Sequence, residues 1–328
     1  LSANPSRLEQ MIPPKSEWVI IDEVQKLPPL LDEVQRLIER KKIKFVLTGS
    51  NARKLKRHGT NLLAGRAISK FMHPLTAEEL GKDFNLKKSL QYGHLPMAYT
   101  SPDPEDYLHS YIKTHLKEEV AQEGIVRNIL GFSRFLEAAS FSQGQYLNIS
   151  KTAADASVDR KITEEYFNVL EDLLIAKRLQ VFQKRATRKI TRHPKFFFVD
   201  CGIFQTLRPK GPLDSDEERE GAALETLVYQ ELMAQNDYKK WGYEIYCWAL
   251  SQGPDVDLVL YGKRGLIAIE VKRSPRIRGG ELDGLKAFLE QYKMAKAFYV
   301  YGGDEKRHID GIDLIPVEDF LKSLPELL

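Results

Sequence analysis

Pro254-Asp255-Val256-Asp257-Leu258-Val259-Leu260 and, after a glycine-bounded break, Ile267-Ala268-Ile269-Glu270-Val271-Lys272 read as two neighbouring strands with acids set into apolar runs. Side chains alternate faces along a strand, so Glu270 and Lys272 project from one face while Ile269 and Val271 enter the core. Asp255 and Asp257 likewise share a face, opposite Val256 and Leu258. Pairing as a hairpin around Gly262 to Gly265 brings Asp257 close to Glu270. Two adjacent carboxylates repel and need a cation. Oxygen ligands with little else nearby favour Mg²⁺ or Mn²⁺ over zinc. A lysine two residues after the glutamate can orient or deprotonate a water and stabilise charge on a phosphate, which is metal-assisted phosphodiester hydrolysis in outline. Asp257, Glu270 and Lys272 are the expected catalytic set. Glu225, on the preceding helix, is expected to complete a metal shell with Asp257 and Glu270. The plainer reading of the same residues is an edge strand with a surface ion pair.

Working outward, a helix (Ala222 to Ala234), a strand (Tyr243 to Trp248), a helix (Leu282 to Tyr292) and a strand (Ala297 to Tyr301) make the region after Gly221 a compact α/β unit. Residues 81–210 differ in character. Helical patterns cover Tyr107 to Val120, Phe132 to Ala139 and Asn148 to Ala156, and Ile162, Tyr166, Val169, Leu170, Leu173 and Leu174 form an apolar stripe. Alternating stretches at Leu179 to Phe182 and Lys195 to Val199 follow. Helices and then a hairpin are the ingredients of a winged helix-turn-helix; the alternative is a helical adaptor with a surface hairpin. Lys184, Arg185, Arg188, Lys189, Arg192 and Lys195 cluster with no acid among them and are expected to face phosphates. Asp214 to Glu220 reads as a solvated acidic linker.

At the other end, Trp18-Val19-Ile20-Ile21 is a continuous apolar run, as expected of a buried parallel strand, and stops at Asp22-Glu23. Leu31, Val34, Leu37 and Ile38 have helical spacing within Leu30 to Lys41, and Ile43 to Leu47 gives a second strand ending at Thr48-Gly49-Ser50. This order implies a right-handed parallel crossover. The first strand looks like a Walker B motif, in which Asp22 holds Mg²⁺ through water and Glu23 activates the attacking water. Thr48-Gly49-Ser50-Asn51, at the tip of the second, resembles the polar sensor of a γ-phosphate, with Ser50 and Asn51 the candidate nucleotide contacts. Arg66, in Leu63-Ala64-Gly65-Arg66, is a candidate for reaching a phosphate on a neighbouring subunit.

Ile21-Asp22-Glu23-Val24-Gln25, Leu47-Thr48-Gly49-Ser50, Leu63-Ala64-Gly65-Arg66 and Pro74-Leu75-Thr76-Ala77-Glu78-Glu79-Leu80 together resemble prokaryotic AAA-type P-loop ATPases that end in a domain of unknown function with a nuclease-like fold. Gly221-Ala222-Ala223-Leu224-Glu225, Val256-Asp257 and Glu270-Val271-Lys272 fit the end of that family and resemble the PD-(D/E)xK nuclease superfamily. The resemblance spans essentially the whole chain. It implies an α/β fold class with a partial P-loop ATPase core over 1–80, a helical and winged-helix domain over 81–212, and a restriction-endonuclease-like α/β domain over 213–328. One departure is serious: no Gly-x-x-x-x-Gly-Lys-Ser/Thr occurs. That loop supplies the amides and lysine that cradle the β- and γ-phosphates. In the family it precedes Walker B, and the first residue here is Leu rather than Met. The chain is therefore expected to be N-terminally truncated, with ATP a ligand of the full-length protein only.

Composition sets broad bounds. The 328 residues, with a formal net charge of +3, suit an ordinary globular protein of two or three domains. The two cysteines, Cys201 and Cys247, exclude a disulfide framework and a cysteine-based zinc site, and read as buried thiols in a reducing cytoplasm. No apolar run is long enough for a transmembrane helix. The seven histidines have no ligand-like pairing, and Trp241 and Trp248 read as core. The resulting expectation is a cytoplasmic ATPase with a metal-dependent nuclease domain acting on nucleic acid, DNA above all, and self-associating through the ATPase core. The alternative is a nuclease-inactive DNA-binding or regulatory module.

Overall fold

A computed structural model describes residues 1–49, 67–116, 120, 126, 128–183, 193–211, 215–250 and 253–328. The chain divides into two compact units, 1–70 with 170–174 and 71–169 with 175–328.

In the first unit, β1 (Trp18–Ile21), α1 (Leu30–Lys41) and β2 (Lys44–Leu47) follow the expected order. The strands pair in parallel, Trp18 opposite Lys44 and Ile21 opposite Leu47. Leu30, Val34 and Leu37 of α1 pack with Leu8 against Ile21, Phe45 and Leu47. Acids in the first turn of α1 and Arg40 and Lys41 in the last suit the helix dipole. The opposite sheet face exposes Trp18 and Ile20, so the strand expected to be buried is covered on one face only.

Short helices open the next part: α2 (Ala77–Leu80), α3 (Leu86–Tyr92), α4 (Pro96–Thr100) and α5 (Pro104–Ser110). A π-helical turn, Tyr111–Leu116, follows α5, so the helix read over Tyr107 to Val120 changes form midway. Then come α6 (Ile129–Ser140), α7 (Ile149–Ala156), α8 (Arg160–Asp172) and the antiparallel pair β3 (Ala176–Leu179) and β4 (Lys195–Phe198). Asn128 and Asn148 cap α6 and α7 by accepting the Gly131 and Lys151 amides. Phe132, Phe135, Tyr166, Phe167 and Phe196 stack edge to face between the helices and β4.

After α9 (Cys201–Leu207), the long helix α10 runs from Asp216 to Tyr238. The acidic stretch expected to be a linker is largely its first turn. Ser215 caps the helix, and Asp216, Glu217 and Glu218 sit where the dipole favours negative charge. The remaining elements are β5 (Glu244–Ala249), β6 (Asp255–Gly262), β7 (Gly265–Lys272), α11 (Asp283–Gln291), β8 (Lys296–Tyr301), β9 (Arg307–Ile309), β10 (Ile312–Pro316) and α12 (Val317–Leu327). They form a six-stranded mixed sheet in the order β5-β6-β7-β8-β10-β9, with β7, β8 and β10 mutually parallel and the other neighbours antiparallel. Leu224, Leu227, Val228 and Leu232 of α10 and Phe320 and Leu324 of α12 cover one face, over Leu258, Ile269 and Val300. Leu285 and Phe288 of α11 cover the other, over Val259, Ala268 and Tyr299. A helix–sheet–helix α/β architecture results. Among the described residues no helix is long and apolar enough to cross a membrane.

Candidate functional site

β6 and β7 do form a hairpin closed by Gly262 opposite Gly265. Leu258 faces Ile269, which sets Asp257 beside Glu270. The expected strict alternation fails at one point. Tyr246 pairs with Val259 and Trp248 with Val256, so Asp257 and Leu258 together oppose Cys247 alone. This one-residue slip has the form of a β-bulge, which re-aims side chains locally. Val256 and Val259 share the α11 face and Leu258 and Leu260 the α10 face, so Asp257 stays with Asp255 on the side opposite Val256, and it is Leu258 that joins them instead of opposing them.

Asp257 accepts from the Val271 amide through Oδ2 (3.0 Å), and its own amide donates to Glu270 Oε2 (3.4 Å). Lys272 Nζ bonds Glu270 Oε1 and stands 3.6 Å from Asp257 Oδ2. Glu225, two turns into α10, is close by. The three expected catalytic residues and Glu225, the expected third acid, thus converge, and Glu225, Asp257 and Lys272 line a cavity of about 230 Å³ that Arg208, Arg219 and Arg273 also line.

Sequence reasoning missed the fifth member. Lys195, grouped above with residues facing phosphates, is 3% exposed. From the start of β4 its Nζ donates to Asp257 Oδ1 (2.9 Å) and Glu225 Oε1 (3.1 Å). It also stands 5.9 Å from the centroid of the Tyr146 ring, in reach of its π face. The available signal was a lysine heading the fully buried run Phe196-Phe197-Phe198, because a buried ammonium requires a buried counter-charge.

The charges of this centre depend on one another. Burial drives the Asp257 carboxyl upward, but the Lys195 and Lys272 ammoniums and the Val271 amide outweigh it and hold it down at about 2. Burial and the Asp257 charge push Glu225 up to about 7 and Glu270 up to about 8, against the pull of the lysines. Burial alone would discharge Lys195; Asp257 and Glu225 reverse that and keep it protonated. Lys272 is raised in the same way, by Asp257 and then Glu270. Near neutral pH, Asp257 is the firmly ionised acid facing the two ammoniums, with Glu270 mostly protonated and Glu225 between its two forms.

In the first unit, Asp22 and Thr48 end adjacent parallel strands, and the Thr48 hydroxyl donates to Asp22 Oδ1. Glu23 follows in a left-handed conformation (φ +52°), with its amide 3.3 Å from Thr48 Oγ1. Thr48 is therefore the polar partner seen at the expected nucleotide end. Ser50, Asn51 and Arg66, and the basic residues Lys184, Arg185, Arg188, Lys189 and Arg192, lie outside the described residues. Cys201 and Cys247 are free and buried, and Trp241 and Trp248 are core. His94, also buried, bonds the Leu75 carbonyl and the Ser89 hydroxyl, a structural role.

Comparison with known proteins divides the chain in three. Residues 2–81 match the family described as an AAA domain, 83–214 a domain of unknown function (DUF8612), and 220–320 a domain of unknown function (DUF4143). Uncharacterized proteins of Mycobacterium tuberculosis and Mycobacterium bovis are each 25% identical over 333 residues, covering 95% of this chain and 72% of their own length. An uncharacterized Haemophilus influenzae protein is 22% identical over 339 residues, covering 96% of this chain and 80% of its own. A Vibrio cholerae protein of known crystal structure aligns over 99% of this chain and 93% of its own at 13% identity, with a TM-score of 0.27, too low to establish a shared fold. What the comparisons support is an AAA-type, ATPase-like domain at the start of the chain.

Proposed function

We propose that this chain is the nucleic-acid-engaging part of an AAA-type ATPase, and that its C-terminal domain, of restriction-endonuclease-like fold, serves as a binding or regulatory module. At the ATPase end, Asp22 would hold Mg²⁺ through water and Glu23 would activate water, with Ser50, Asn51 and Arg66 reaching the phosphates. The phosphate-binding loop, absent from these 328 residues, has to come from elsewhere. A winged-helix role for α6 to β4 would present Lys184, Arg185, Arg188, Lys189 and Arg192 to a DNA backbone. A cytoplasmic location and self-association through the ATPase half belong to the same reading.

The observation that carries the module reading is the Lys195 ammonium between Glu225 and Asp257. By donor type, Glu225, Asp257 and Glu270 suit a hard divalent cation such as Mg²⁺ or Mn²⁺. By position they do not, because a lysine nitrogen fills the space that a bridging ion needs. Among the described residues no three acid, histidine or cysteine side chains are arranged to hold a metal. A second reading, a metal-dependent phosphodiesterase at Asp257, Glu270 and Lys272, is favoured by the convergence of those side chains beside an arginine-lined cavity.

DNA binding and cleavage, measured together, decide between them. The module reading expects salt-dependent binding and no cleavage in Mg²⁺ or Mn²⁺. Replacing the five basic residues with alanine should lower the salt slope by ~0.9 for each phosphate left without its cation. Metal-dependent cleavage that disappears in both Asp257→Ala and Lys272→Ala would establish the second reading. Absence of salt-dependent DNA binding would sink the nucleic-acid role itself.

A further inference from the structure

The two lysines of the centre differ. Lys272 follows the glutamate as an active-site lysine would, and its side chain is one-third exposed at the cavity. Lys195 comes from a different part of the chain, is sealed, and bonds one oxygen from each of two acids on different elements. Its place is fixed from several sides. The register of β4 against β3 sets its backbone, and Tyr146 forms an isolated bridge with it. Glu225 is held close on its far side by Gly144, whose φ is +67°; a Cβ there would come within 2.8 Å of Glu225 Oε2. Ion–oxygen bonds to Mg²⁺ or Mn²⁺ are about 2 Å long, and such a cation bridging Glu225 Oε1 and Asp257 Oδ1 would overlap the ammonium. The two occupants exclude each other.

We propose that Lys195 is the resident cation of this centre: its ammonium takes the position of a bridging divalent ion, so the chain takes no such ion there, and loss of the ammonium creates a divalent-cation site. The inference rests on reading the centre as a nuclease-like acid cluster that works as a metal-free module. The site so created is oxygen-only, formed by Glu225 and Asp257 with Glu270 at its edge, and would prefer Mn²⁺ or Mg²⁺ to zinc. The ammonium supplies one positive charge where a divalent ion would supply two, and does so as part of the chain, with no dependence on metal supply.

The test is Mn²⁺ binding to the full 328-residue chain, followed by loss of the free-ion electron paramagnetic resonance signal. Wild type and Asp257→Asn should bind Mn²⁺ alike, any uptake elsewhere being common to both. Lys195→Met should gain one further Mn²⁺ per chain, and Lys195→Met/Asp257→Asn should lose it again. A wild-type site that Asp257→Asn removes would overturn the inference, as would a folded Lys195→Met that gains nothing. Should Lys195→Met unfold in chelator, Mn²⁺ must restore its fold, and failure to do so also overturns it. None of these outcomes depends on DNA, so the module's nucleic-acid role stands or falls separately.

Discussion

Replacing Lys195 with methionine keeps most of the apolar stem and removes only the charge, which makes it a direct measure of what the ammonium does. Two charge-assisted hydrogen bonds, of 2.9 and 3.1 Å, disappear, and Asp257 and Glu225 are left buried beside each other. Breaking a buried ion pair from one side costs about 3–5 kcal/mol, because the remaining charge is uncompensated. For a unit of this size the melting temperature should fall by on the order of 10 °C. The pH dependence is the sharper signature. In the wild type, Asp257 is held at about 2, so its contribution is present above its unfolded value near 3.9 and fades only as pH falls toward 2. Without Lys195 that pull is gone, and protonating either acid relieves the repulsion. The deficit of Lys195→Met should therefore be largest near pH 8 and shrink toward pH 5. Urea unfolding followed by the fluorescence of the buried Trp241 and Trp248 reads it directly. A deficit under about 1 kcal/mol at pH 8, or one equally large at pH 5, would refute the claim that Lys195 neutralises these acids.

Three further outcomes are expected, one at this centre and two elsewhere. Gly144→Ala puts a Cβ into a left-handed backbone and against Glu225 Oε2; urea unfolding should show a loss of about 1–3 kcal/mol. Burial pushes Glu231 up to about 8, so its stabilisation is complete below about 4.3 and is lost as pH rises through 8. Glu231→Gln, still able to accept the Ala77 amide, should flatten melting temperature against pH between 5 and 8.5, and an unchanged slope would contradict that pKa. In an ATP-hydrolysing protein that includes the phosphate loop, Glu23→Gln should lower kcat by about 100-fold or more with ATP binding retained. Undiminished turnover there would remove Glu23 from the reaction.

The hairpin, its glycine turn and the approach of Asp257 to Glu270 were legible in the sequence because they depend on local alternation and one short connection. Glu225 was legible as well, since a helix leading into the sheet had to carry it near the strands. The parallel pairing of β1 with β2 followed from two apolar runs around one helix, and the alignment of their ends places Thr48, the first residue of the expected polar tip, beside Asp22. The start of α10 was misread because its acidic first turn has the composition of a linker, although Ser215 and the dipole make it good helix. β3 was placed three residues late. Its exposed Lys177 and half-buried Arg178 hide the pattern, while Val181 and Phe182 are apolar for another reason, a bridge to Cys247 and packing on α11. β9, β10 and α12 went unread. Lys195 was harder to read: the apolar run Phe196-Phe197-Phe198 after it signals burial, but no local pattern names the distant elements whose acids it meets.

That crossing bears on where this protein can be divided. Family boundaries fall between residues 214 and 220, yet the centre takes Lys195 from one side and Glu225, Asp257, Glu270 and Lys272 from the other. Other interactions cross at the same place. The Phe182 amide donates to the Cys247 carbonyl (2.7 Å), the Cys247 amide to the Gln180 carbonyl (3.0 Å), Phe182 packs on Phe288, and Phe197 on Tyr229. The segment after β3 thus lies along β5, and the residues on both sides of the family boundary form one compact unit. A C-terminal segment cut at that boundary would lack a flanking strand segment, two aromatic partners and the cation of its own acid cluster. The buried carboxylates would then need protons or a metal in its place. Divalent-cation binding by such a fragment would accordingly report the missing Lys195 rather than a property of the intact chain.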